Sequence, residues 1–72
     1  MIIIEVGKEW DLGKHAWEGY INGYFESEKH AEKYLIILDY ERDTDGVFFK
    51  DLNEEVTNIA RITQLQKIEV DI

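Results

Sequence analysis

The chain has 72 residues, no cysteine, and 16 Asp and Glu against 8 Lys and Arg, which leaves a formal net charge of −8. This length leaves room for one domain, residues 1–72, with a thin core, since so small a domain buries only about 60% of its unfolded surface. A disulfide scaffold and a thiolate metal site are excluded by composition, and the acidity repels phosphate backbones and anionic lipid.

Apolar residues make up 44% of the chain, enough for a folded globule. No apolar run approaches the roughly 20 residues of a membrane span. The opening MIIIEVGKEW lacks the basic segment and small-residue cleavage site of an export signal. The expected compartment is the cytoplasm.

MIIIEV is β-branched and apolar and predicts a first strand, extending toward Trp10. Residues 11–16, DLGKHA, read as a loop or hairpin turn. WEGYINGYF predicts a second strand. Trp17, Gly19, Ile21, Gly23 and Phe25 share one phase, and Glu18, Tyr20, Asn22 and Tyr24 the other. Two glycines on the apolar phase imply a close approach by another element, or a bend. Ser27 is placed to cap a helix, with Glu26 and Glu28 near its positive end. Ala31, Tyr34, Leu35 and Leu38 form one apolar face, so the spacing predicts a helix over residues 28–40. Leu35 to Leu38 is apolar all round, which predicts a last turn enclosed on several sides. DYERDTDG ends the helix, with Asp45-Gly46 as a turn.

GVFFKDL predicts a third strand, and Asn53 marks a turn. Residues 53–66 carry two signals. Asn53, Glu54 and Glu55 could open a second helix, whereas Val56, Thr57, Ile59, Ile62 and Thr63 are β-branched and favour a strand. From Lys67 the alternation is regular, with Ile68, Val70 and Ile72 on one side. Leu65 is out of that phase, which predicts a bulge or a change of element near Gln66. The fold class expected is α+β: an antiparallel sheet of about four strands, in the order ββαββ with room for one more, packed against one amphipathic helix.

The segment GYFESEKHA is similar to strand-to-helix junctions in unrelated small domains, among them plant ethylene-response DNA-binding domains and sporulation-related peptidoglycan-binding domains. The plant domains carry basic DNA-reading strands. Here the strand carries Glu18 and no arginine, so the likeness is one of junction physics and assigns no family.

Catalytic and metal motifs are missing. Ser27 is the sole serine and is explained by the cap. His15 and His30 have no ligand spacing that would hold zinc. Against an EF-hand pattern with Gly46 as its glycine, Asp43 and Asp45 fit, but Glu41 at the first position and Leu52 at the closing one stand where Asp and Glu are needed. No cofactor or metal is expected, and a chain this short has little volume for a ligand pocket of about 300–1,000 Å³. The expectation is therefore not an enzyme.

The charge pattern suggests a surface. Glu28 and Glu32 form an acidic column beside Lys29 and Lys33, and Asp39, Glu41, Asp43 and Asp45 extend the acidic side. Tyr20 and Tyr24 lie on the strand phase opposite Trp17, where exposed rings would mark an interface. These eight residues are the candidate partner-binding set. The leading reading is a protein-binding module for a basic protein, in its sharper form a phage-type inhibitor that mimics nucleic acid, with no direct nucleic-acid or membrane binding. The alternative is a small homo-oligomeric accessory domain whose open sheet face self-pairs into a homodimer.

Overall fold

The computed structural model describes residues 1–11, 13–43, 45–51 and 55–66. The elements run β1 (Ile2–Trp10), β2 (Lys14–Tyr20), α1 (Glu28–Ile37), β3 (Glu41–Arg42), β4 (Val47–Asp51) and β5 (Val56–Gln64). The five strands form one antiparallel sheet in the order β2-β1-β5-β4-β3. The fold is α+β as expected, but the described element order is ββαβββ rather than ββαββ. The additional strand is β3, two residues pairing Glu41 with Phe49 and Arg42 with Phe48. Residues 56–64 resolve the ambiguity toward strand, because β5 sits centrally and its β-branched side chains pack against neighbours on both sides. Asn53, Glu54 and the expected terminal strand at 67–72 lie outside the described residues.

β1 and β5 pair from Ile2–Gln64 to Trp10–Val56 without a slip. The register slips between β1 and β2, at Val6/Gly7. Of the bulge or change of element expected near Gln66, the second is seen, since β5 ends at Gln64; the bulge of the sheet lies beside Gly7, where a Cβ would collide with the carbonyl oxygen of Ala16. The close approach forecast at Gly19 or Gly23 is therefore at Gly7, for a Cβ at either of the other two meets nothing. Gly23, with φ of 133°, instead lets the chain bend after β2, which ends at Tyr20 and not at residue 25. The bend is tied down where Ile21 N–H donates to the Ile4 carbonyl at 2.9 Å and Phe25 N–H to that of Ile2 at 2.8 Å.

One face of the sheet carries Ile4, Ala60 and Phe48, which enclose Ala31 and Leu35 of α1. Ile2, Val6, Ile21, Phe25, Tyr40 and Ile62 pack around this cluster. Ser27 caps the helix as expected, its Oγ accepting from His30 N–H at 3.2 Å. The helix ends at Ile37, earlier than residue 40. Asp39 turns left-handed (φ 68°), its N–H donating to Ile36 at 3.0 Å and that of Tyr40 to Leu35 at 3.0 Å. This is a Schellman closure with aspartate where glycine is usual. Lys50 Nζ donates to the Leu38 carbonyl at 2.9 Å and places a cation at the negative helix end. The last turn is not enclosed: Ile36 is 57% and Ile37 77% exposed. A two-layer fold can cover only one side of a helix, and the buried strip is Ala31 and Leu35.

Candidate functional site

Pairing fixes which side chains share the second face of the sheet, the one opposite α1. They are Tyr20, Trp17 and His15 from β2, Ile3, Glu5 and Glu9 from β1, Thr63, Arg61, Ile59 and Thr57 from β5, Val47, Phe49 and Asp51 from β4, and Glu41 from β3. Among the described residues no helix packs on this face. It divides into two halves of different chemistry.

The first half is tied together. Arg61 donates from Nε and Nη2 to the two carboxylate oxygens of Glu5, both at 3.2 Å, and Thr63 Oγ1 donates to Glu5 Oε1 at 2.7 Å. The guanidinium lies 4.1 Å from the centroid of the Trp17 ring, and His15 meets Trp17 edge-on at 6.2 Å. Both hydrogen-bond donors, Arg61 first, hold the Glu5 carboxyl below the usual glutamate range. Trp17 and Tyr20 were expected on opposite phases of the strand. The bulge at Val6/Gly7 inserts one residue, so Trp17 pairs with Gly7 and Tyr20 with Glu5, and both share this face.

The second half is a hollow of about 330 Å³ lined by Glu9, Asp43, Asp45, Asp51, Val47, Phe49, Thr57 and Ile59. Ile59 is buried at its floor, and Val47 and Phe49 are half-buried. Asp51 accepts from Thr57 Oγ1 at 3.2 Å. Among the described residues no Lys, Arg or His lines the hollow. Strand period explains the floor: Val47, Phe49 and Ile59 occupy alternate positions on neighbouring strands, facing away from the helix.

The chain matches no known family, curated protein or solved structure. The geometry of this face is thus what bears on function. It divides the eight candidate residues. Asp43 and Asp45 line the hollow, and Glu41 shares its face. Asp39 joins Glu41 and Asp51 in a smaller depression of about 260 Å³, with its backbone already committed to closing the helix. Glu28 and Glu32 sit on α1, on the other side of the sheet, and Glu32 is 3.3 Å from Arg42 Nη1. Tyr20 and Tyr24 are 65% and 70% exposed, Tyr20 on the sheet face and Tyr24 in the bend that follows. Glu9 and Asp51 were missed from sequence because each becomes part of the hollow only through pairing between strands distant in the chain. Among the described residues no group of three potential ligands is placed to hold a metal ion, and no helix is long and apolar enough to cross a membrane.

Proposed function

We propose that this chain is a non-catalytic protein-binding module that docks its acidic sheet face, rings included, on a basic protein. The observation that carries this reading is the hollow. An apolar floor of Val47, Phe49 and Ile59 is ringed by Glu9, Asp43, Asp45 and Asp51, and among the described residues no Lys, Arg or His joins the lining. A lysine or arginine side chain suits such a place. Its aliphatic stem lies along the floor and its charged head meets the rim. Tyr20, exposed on the same face, adds area with an amphipathic ring, as interfaces commonly use. In its sharper form the module is a phage-type inhibitor, its carboxylates occupying a groove that otherwise takes phosphates.

The test measures the affinity of a Lys/Arg-rich peptide and of a Glu-rich peptide of equal length by calorimetry at two salt concentrations. The basic peptide is expected to bind more tightly and to weaken as salt screens the charges. Glu9→Gln with Asp45→Asn should weaken it roughly three- to thirtyfold, on a scale of about 0.3–1 kcal/mol per rim charge. Glu28→Gln, on the far side, should leave it unchanged. Equal losses in the two variants would remove the hollow from the function. For the sharper form, failure to displace duplex DNA from a captured DNA-binding partner would be decisive against it.

A further inference from the structure

The two edges of the sheet are treated differently. The β3 edge is two residues long and both are charged, a usual way of denying an edge to another chain. The β2 edge is seven residues long, contains no proline, and has only Trp17 even half-buried. Nothing described covers it. A strand with almost every side chain in water adds little to the core; from Lys14 to Trp17, ahead of the bulged Glu18, it presents a regular open row of backbone donors and acceptors.

We propose that β2 is a self-association edge, and that two copies pair antiparallel about a two-fold axis through Ala16. Charge complementarity selects both occupant and register. With Ala16 opposite its own copy, Lys14 of each chain faces Glu18 of the other, and His15 faces Trp17 of the other. Shifting the centre to His15 or Trp17 sets Lys14 against Ala16 or Tyr20 and leaves both charges unmatched. Among the described residues, Lys14 and Glu18 are held by exposed 3.9 Å ion pairs, to Asp11 and Lys8, which leave both able to turn to a partner. The pairing buries little surface and joins two chains of −8, so it is weak and strengthens as salt screens their repulsion. Binding of a basic protein in the hollow has the opposite salt slope, and so the failure of either idea is recognisable without the other.

The decisive experiment mixes charge variants. Lys14→Glu and Glu18→Lys each place like charges across the axis, and each alone should sediment as monomer. Mixed in equal amounts they restore both opposite pairs and should form a heterodimer. The absence of natural cysteine permits a second readout. Ala16→Cys should oxidise to a disulfide dimer on the order of ten times faster than Glu28→Cys, because strand pairing raises the local thiol concentration. A mixture that associates no better than its components, or equal oxidation rates for the two cysteine variants, overturns the proposal. A wild-type dimer that survives Ala16→Lys overturns it as well, since that dimer uses another surface.

Discussion

Glu5 shows how one residue can join three strands. It stands between Arg61 on β5 and Tyr20 on β2 in the pairing register, and its carboxylate takes three hydrogen bonds from β5. Those bonds, from Arg61 and then Thr63, lower its pKa from the ordinary 4.5, against a smaller opposing effect of burial. A carboxyl depressed in the fold binds its proton first in the unfolded chain. Its stabilisation is therefore complete above about pH 4.5 and disappears as pH falls through the lower folded value. Glu5→Gln should thus be less stable than the wild type at pH 7, and the gap should close under acid. Urea unfolding from pH 7 down to pH 3 measures it, and a gap independent of pH would mean that the Glu5 charge contributes nothing. Glu5 was not among the sequence candidates. Its isolated position in an apolar strand carries no signal until Arg61, 56 residues away, is placed opposite.

At the scale of elements, α1 offers a sharp contrast between neighbours. Leu35 is fully buried under the sheet, while Ile37, two residues on, is 77% exposed. Leu35→Ala should cost about 2–5 kcal/mol, enough to unfold much of a domain this small. Ile37→Ala should stay within about 0.5 kcal/mol, as a surface change does. Chemical denaturation of both variants decides it; an equally large loss at Ile37 would require a covering surface that the described residues do not supply. The helix was legible because its signals are local: a serine cap, an acidic first turn and the Ala31–Leu35 spacing. β1 and β4 were legible by their β-branched and aromatic runs. β3 was not, since two residues carry no period, and their pairing depends on the turn at Asp43, whose N–H donates to the Val47 carbonyl at 2.8 Å. The phase of β2 was misread for a related reason. One bulged residue exchanges the faces of everything beyond it, and the slip lies beside Gly7, where only a residue without a Cβ lets the Ala16 carbonyl come so close. The candidate site suffered most: the acidic residues are obvious in the sequence, but which side of a sheet each one reaches is decided by pairing.

For the molecule as a whole, the governing quantity is a charge of −8 on 72 residues. Four described cations, Lys8, Lys14, Arg42 and Arg61, stand within 4 Å of carboxylates, and none of these pairs involves Glu9 or Asp45. Carboxylates gathered around an apolar floor repel one another. Such a rim is a cost to folding that a partner's positive charge would relieve, and in natural proteins stability is often lower where a surface is built to bind. The two properties should therefore move in opposite directions. Glu9→Gln with Asp45→Asn, which weakens capture of the basic peptide, should at the same time raise the melting temperature at low salt. Like-charge contacts of a few tenths of a kcal/mol each correspond to about 2–4 °C in a domain of this size. The advantage should shrink at about 0.15 M salt and above, where charges beyond roughly 8 Å are screened. Calorimetric melts of the wild type and the variant at low and moderate salt would show this. A variant that melts at or below the wild-type temperature at low salt would mean that the rim carboxylates are already compensated within the chain, and a cationic partner would then gain little by meeting them.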